Sequence, residues 1–233
     1  MKYLVLPEQQ GEERLLSFYL AMEEYAARHI DEQDLFFTWQ VEPSVIFGRN
    51  QLIDNEVNIA YCREHGIRMF QRKSGGGCVY ADMGNVMLSY VTKEENANIA
   101  FNTFINMVLL VLRRVGIEAV GSSHNDVLIG DRKVSGTACY KLPERCIVHS
   151  TLLYDADMEN MVHAITPGPE KLQSKGIQSV RQRITLLKDY TSISVSELRA
   201  LIRQTLCTGE VMLTSADVAA IGRLEAESYS GYE

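Results

Sequence analysis

Three consecutive glycines, Gly75, Gly76 and Gly77, interrupt a β-prone stretch between residues 67 and 91. Glycine loses more backbone freedom on folding than any other residue and gives a strand nothing to pack. No helix passes through such a triplet. The chain must leave a strand over 67–72, cross a loop, and enter another strand over 85–91. The return already has its own turn signal in Asp82-Met83-Gly84-Asn85. The triplet is therefore not needed to reverse the chain. It reads either as a plain loop beside a solvated Arg72–Lys73 pair, or as bare backbone whose N–H groups meet an anion while a bulky ligand lies on the main chain. In the second reading Arg72 and Lys73 offer charge to a phosphate. Neither a G-x-x-x-x-G-K-[ST] loop nor a G-x-G-x-x-G fingerprint occurs.

Around this loop, helical and strand patterns mix without a βαβ rhythm. Residues 11–29 read as an amphipathic helix, with Leu15, Leu16, Tyr19, Met22, Tyr25 and Ala26 on one side. Short strands follow over 34–40 and 43–50. A helix over 56–64 ends at Gly66, and an apolar helix over 100–115 ends at Gly116. Strands over 126–129, 132–136 and 146–154 precede a helix from about 157. Closing helices start near Ser194 and Ser215, both suited to N-capping. The pattern predicts an α+β fold, a mixed β-sheet flanked by helices, in one domain over residues 1–233.

The net charge of −7 offers no basic footprint for nucleic acid. The five cysteines are scattered and never spaced C-x-x-C, which predicts free thiols in a reducing cytoplasm and no zinc site. The N-terminus lacks a signal-peptide pattern, and no apolar run is long enough to span a bilayer.

Three further stretches carry chemistry. In HNDVLIGDRKVSGTA (124–138), Gly130-Asp131 predicts a tight hairpin in which Val127 faces Val134 and Asp126 faces Ser135. Asp126, Lys133 and Ser135 then share one face, and Asn125 with Asp126 could help hold Mg2+. The plain alternative is an edge hairpin with a solubilising lysine. In IVHSTLLYD (147–155), His149 reads as a satisfied core histidine rather than a base. The 171–183 stretch, with Lys171, Lys175, Arg181 and Arg183, reads as a solvated loop or as a basic flap over an anion.

Together these stretches resemble the lipoate–protein ligase A family, within the group that includes biotin ligases and octanoyl transferases. The family's RRxSGGGxVYHDxGN, RND…GKKISGSA, HGTLL and SKGI-SVRSRV segments correspond to QRKSGGGCVYADMGN (71–85), HNDVLIGDRKVSGTA (124–138), HSTLL (149–153) and SKGIQSVRQRI (174–184). The resemblance implies the biotin/lipoate ligase-like catalytic fold, distantly akin to class II aminoacyl-tRNA synthetases. It implies ATP, Mg2+ and lipoate as ligands, formation of lipoyl-AMP, and lipoyl transfer to a lysine. The acceptor would be a lipoyl domain of a 2-oxoacid dehydrogenase or the glycine-cleavage H protein. Arg72 would contact phosphate, and Gly75, Gly76, Gly77, Cys78, Val79 and Tyr80 would line the adenylate and acyl chain. Lys133 would be the essential lysine. Asn125 and Asp126 would sit at the nucleotide and Mg2+. Asn85 falls in the same motif, and Ser135, Ala138 and Thr151 would complete the wall.

Four motif positions depart from the family: Gln71, Ala81, His124 and Ser150 replace Arg, His, Arg and Gly. Ligases of this family often carry a C-terminal accessory domain of roughly 80–100 residues. The sequence ends about where that domain would begin, so either a separate accessory polypeptide supplies it, or the protein works without one, or it is a transferase that uses preformed lipoyl-AMP. Two alternatives stand beside the ligase reading. One is a lipoyl or octanoyl transferase using a preformed donor, for which Cys139 and Cys146 match no nucleophile position of the family. The other is a non-catalytic lipoate or nucleotide binder.

Overall fold

The computed structural model describes residues 1–7, 14–123, 125–165, 183–229 and 231–232. Among them the chain forms two β-sheets. The larger comprises β1 (Lys2–Val5), β2 (Asp34–Trp39), β6 (Asn85–Thr92), β7 (Val120–Gly121), β8 (Asp126–Ile129), β9 (Arg132–Leu142), β10 (Arg145–Leu153) and β11 (Gly209–Met212). Their order is β11-β1-β2-β6-β10-β9-β8-β7. β1 pairs in parallel with β2 and β11, and the remaining pairs are antiparallel. The smaller sheet places β3 (Ser44–Phe47) between β4 (Arg68–Gln71) and β5 (Val79–Ala81). The α+β mixed sheet expected from the pattern is thus the observed architecture.

Central strands β6 and β10 are buried along their whole length, because helices cover both faces. α1 (Leu16–His29) reaches Ser89 through Glu23. α4 (Ala97–Arg114) places Phe104 against Tyr90 and Phe36. Ser89 and Tyr90 are neighbours on β6 and point to opposite faces, so α1 and α4 cover opposite faces of the sheet. Asn96 caps α4 by accepting from the Asn98 and Ile99 N–H groups, and Gly116, at φ +77°, lets the chain turn away.

Several boundaries differ from the expectation for identifiable reasons. The single helix over 56–64 is two, α2 (Ile53–Glu56) and α3 (Ile59–Glu64), because Asn58 caps the second by accepting from Tyr61 N–H. Ser194 caps α6 (Val195–Leu206) in a capping box with Glu197. α7 (Ser215–Ser228) is capped by Thr214 with Asp217, one residue before Ser215. β9 runs six residues past the expected end at 136, because β10 pairs with it as far as Leu142. The parallel strands β1 and β11, of which β11 is the edge of the large sheet, were not expected. α5 (Met158–Ile165) begins close to the expected position. No helix among the described residues is long and apolar enough to cross a membrane.

Candidate active site

The floor of the site is one row of residues running across the large sheet. Trp39 on β2 pairs with Met87 on β6, Met87 with Thr151 on β10, Thr151 with Gly136 on β9, and Gly136 with Asp126 on β8. Four strand spacings span about 19 Å. The row grades from an indole and a thioether at one end to a carboxylate at the other. A cavity of about 270 Å³ lies over it, with Leu20, Ile46 and Val79 adding apolar wall and Arg72 and Lys133 adding charge. Such a gradient suits a ligand with an apolar tail and an anionic head.

Lys133 reaches this floor because of a bulge. The hairpin turns at Gly130, at φ +62°, and pairs Ile129 with Arg132 and Leu128 with Lys133 as expected. The register then slips, so that Ser135 faces Val127 and Gly136 faces Asp126. The expected pairing of Asp126 with Ser135 is corrected accordingly. Ser135 is fully buried, its Oγ has no hydrogen-bond partner among the described residues, and it does not line the cavity. Gly136 takes its place for a steric reason. A Cβ there would lie 2.7 Å from both Cε and Nζ of Lys133. The ammonium lies across the bare glycine and meets Asp126 Oδ1 at 2.9 Å.

The glycine loop is held from below by Arg72, which is buried. Its guanidinium makes four hydrogen bonds to three carbonyls: Nε and Nη2 donate to Gly75 O, Nη2 to Gly77 O, and Nη1 to Ile46 O. Burial pulls this guanidinium below its ordinary value, yet an arginine stays charged at neutral pH. The three glycines divide the work. Gly76 needs φ +91° and leaves a hypothetical Cβ 3.1 Å from Arg72 Nη2, whereas a Cβ at Gly75 or Gly77 would meet nothing within 4 Å. Those two positions face open space in which a ligand could lie. Lys73 does not offer its charge to the cavity. It turns away to Glu24 Oε2 at 2.7 Å and over the Tyr229 ring at 4.4 Å.

A buried polar chain fixes the loop's next residue. Trp39 Nε1 donates to Ser89 Oγ, and Ser89 Oγ donates to Glu23 Oε1 at 2.5 Å. Glu23 Oε2 lies 2.9 Å from His149 Nδ1, and His149 Nε2 lies 2.8 Å from Ser74 Oγ. A carboxylate only accepts, so Nδ1 donates, and in the neutral ring Nε2 accepts from Ser74. His149 is therefore a satisfied buried histidine that also lines the cavity.

Of the expected site residues, Arg72, Gly76, Gly77, Cys78, Val79, Asp126, Lys133, Ala138 and Thr151 converge on the cavity, whereas Gly75 does not line it and its carbonyl is taken by Arg72. Tyr80 does not. It pairs with Val45, one residue out of phase with Ile46 and Val79, and packs into a second core with Phe47 and Met161. Asn85 is a turn brace rather than a wall residue, its Nδ2 donating to Tyr80 O at 3.1 Å. Asn125 adopts φ +61° at the start of the hairpin and does not line the cavity. His124, Lys171, Lys175 and Arg181 lie outside the described residues. Trp39, Met87, Gly136, Ser74, Glu23 and His149 complete the arrangement and were not assigned to the site from sequence. Trp39 is the chain's single tryptophan, a signal that was available.

Burial pushes the Cys78 thiol up to about 12, so at neutral pH it is protonated and a poor nucleophile. Cys139 is likewise pushed up to about 12 by burial. It faces Val148, out of phase with His149 and Ala138 on the cavity side. Among the described residues no group of three or more His, Cys, Asp or Glu could hold a metal ion.

A profile of the lipoyl protein ligase A/B catalytic domain matches residues 16–207. A lipoate–protein ligase of Bacillus subtilis is 33% identical over 225 residues, covering 92% of this chain and 68% of that protein. Lipoate–protein ligase 1 of Staphylococcus aureus is 33% identical over 218 residues, covering 90% and 66%. The chain thus spans about two thirds of the length of these relatives. The bipartite lipoate protein ligase of Thermoplasma acidophilum, described with its E2 lipoyl domain, superposes with a TM-score of 0.85 at 26% identity, over 97% of this chain and 92% of that one. A lipoate–protein ligase A bound with ATP superposes with a TM-score of 0.83 at 22% identity, over 97% and 94%. The match runs from α1, which supplies Glu23 and Glu24, through the glycine loop and Lys133 hairpin to the end of α6, and so this chain belongs to the lipoyl protein ligase A/B catalytic-domain family.

Proposed function

We propose that the chain is an ATP-dependent lipoate–protein ligase that forms lipoyl-AMP and passes the lipoyl group to an acceptor lysine. The observation that carries this reading is the graded floor from Trp39 to Asp126, with Lys133 laid over Gly136 at its charged end. The apolar end suits the acyl chain, and the charged end suits the carboxylate and the α-phosphate. In the first step the lipoate carboxylate attacks the α-phosphorus of ATP and pyrophosphate leaves. Two anions must approach, and the Lys133 ammonium lowers that repulsion and stabilises charge in the transition state. Gly75 and Gly77 leave open main chain for the nucleotide. Mg2+ is commonly held by one or two carboxylates together with substrate phosphates, so Asp126 alone fits such a shared site, where the ion would neutralise phosphate charge. In the second step the acceptor's lysine amine attacks the mixed anhydride carbonyl and AMP leaves. The protein's part there is largely orientation.

Lipoyl domains of 2-oxoacid dehydrogenases or the glycine-cleavage H protein are the acceptors this reading names, with a separate accessory polypeptide as a further partner. Free thiols at all five cysteines fit a reducing cytoplasm. Lipoate-dependent exchange of pyrophosphate into ATP, measured with and without octanoate as competitor, tests the reading. Exchange with lipoate supports a ligase. No exchange, combined with acyl transfer from preformed lipoyl-AMP, supports a transferase. Tight lipoyl-AMP binding with neither activity supports a binder.

A further inference from the structure

Two adjacent carboxylates on α1 hold two adjacent residues of the loop stem. Glu23 holds Ser74 through His149, and Glu24 holds Lys73 directly. The second contact has a third member from the far end of the chain. Tyr229, which follows α7, donates its hydroxyl to Glu24 Oε2 at 2.5 Å, the same oxygen that Lys73 Nζ approaches at 2.7 Å. Its ring lies under that ammonium at 4.4 Å. Glu24 Oε1 is taken by Arg28. Burial alone raises the Glu24 carboxyl, but hydrogen bonds from Lys73, Tyr229 and Arg28 outweigh it and leave the carboxyl below its ordinary value. Two residues beyond Phe70, at Arg72, the chain enters the loop, and the C-terminal residues press on that strand as well. Tyr232 N donates to Met69 O at 2.8 Å, and a Cβ on Gly231 would lie 3.3 Å from the Phe70 ring.

We propose that Tyr229 is a positioning residue for the glycine loop, acting through Glu24 and Lys73 to hold the loop in its ligand-ready shape before the nucleotide arrives. Tyr229 itself does not line the cavity, so it touches no reacting atom. The proposal rests on the reading that the loop receives the nucleotide. A loop held only part of the time in the competent shape weakens apparent affinity in proportion to that fraction. Once ligand has ordered the loop, the penalty is the same in ground and transition states, so turnover at saturation is unaffected.

Pyrophosphate exchange as a function of ATP concentration, with amide hydrogen exchange on residues 72–78 of the free protein, tests this in Tyr229→Phe, Lys73→Met and Lys73→Arg. Tyr229→Phe and Lys73→Met are expected to raise KM for ATP about 5- to 20-fold while kcat stays within about twofold. Loop amides should exchange faster in both, and Lys73→Arg should recover most of the KM. The double variant should be no worse than the poorer single one, since both break one contact set. A lowered Tm with unchanged KM and loop exchange overturns the proposal, because Tyr229 would then only pack. A fall in kcat at unchanged KM also overturns it, placing the effect in the chemistry. If the wild type shows no lipoate-dependent exchange, the ligase reading fails by itself, and the amide exchange of Tyr229→Phe still decides whether the latch exists.

Discussion

The two sides of the cavity are built on opposite plans. The glycine-loop side is tied down: Arg72 braces three carbonyls, His149 holds Ser74, and Glu24 holds Lys73, with Ser74 and both glutamates almost completely buried. The Lys133 side is the β8–β9 hairpin, bordered outside only by the two-residue β7, and its functional pair stays partly open to solvent, Lys133 with 40% and Asp126 with 24% of the side chain exposed. A solvent-exposed ion pair of this kind contributes little to stability. A bound ligand can therefore exchange Asp126 for a phosphate or carboxylate at small cost. The difference teaches a division of labour: the loop is shaped in advance, and the lysine is left free to change partners.

Substitutions on the hairpin side should then alter chemistry without altering the fold. Lys133→Ala should lower kcat for pyrophosphate exchange on the order of 10²–10³-fold, by analogy with removal of one transition-state donor. Its Tm should move by no more than a degree or two, since surface changes stay within about 0.5 kcal/mol. Equal activity in Lys133→Ala and wild type would remove the catalytic assignment. Gly136→Ala is a sharper probe of the same idea. The new Cβ would clash only with the flexible end of Lys133 and touch Asp126 Oδ1 at an ordinary 3.7 Å, so the ammonium must move while the backbone need not. We expect kcat to fall about 10- to 100-fold with stability nearly unchanged. A loss of Tm comparable to the loss of rate would mean that Gly136 serves the fold instead.

The contrast also explains what could be read in the sequence. The glycine loop, its cation and the hairpin lysine were legible because each is a local requirement: an unusual φ, a close approach, a turn. Gly130, Gly116 and Ser194 act where local rules place them. Ser135 was misplaced because a bulge depends on the partner strand, and one slipped residue sends the side chain to the other face. Tyr80 was misplaced for a related reason, since the motif spans consecutive residues while the strand alternates. Trp39 and Met87 join Gly136 through pairings between strands distant in sequence, which no window reveals. The strand β1 is only four residues long and is specified by its neighbours β2 and β11 rather than by itself. Lys73 looked equivalent to Arg72, and only the packing of α1 and α7 separates a buried brace from an outward latch.

On the loop side the electrostatics should instead appear in stability. Glu24 is held below its ordinary value of 4.5 in the folded chain. A carboxyl with a depressed folded value contributes stability that is fully present above its unfolded value and is lost as pH falls through the folded one. The Tm gap between wild type and Glu24→Gln should therefore be widest above about pH 5 and close as the solution is acidified below 4.5. Asp82, raised by burial, contributes with the opposite sign, so the difference between the two proteins isolates Glu24 better than either curve alone. A gap that stays constant from pH 7 to pH 3 would show that the Glu24 contacts do not depend on its charge.

The smallest effect is expected at Cys78, the residue that joins the two sides. It follows the third glycine and lines the cavity, where a thiolate could in principle carry an acyl group. Burial pushes the thiol up to about 12, so at pH 7.5 it is overwhelmingly protonated. A thiol so rarely ionised is a poor acyl acceptor. Cys78→Ala removes one sulfur from the cavity wall and leaves the backbone able to keep the same path. Pyrophosphate exchange and acyl transfer should both stay within about twofold of wild type, since a volume-reducing change at a partly exposed wall costs little. Mass spectrometry after incubation with ATP and lipoate should find no acyl group on the peptide containing Cys78. An acylated Cys78 that disappears on adding an acceptor domain, together with loss of transfer in Cys78→Ala, would move the chemistry from the hairpin to the loop and reverse the division of labour between the two sides.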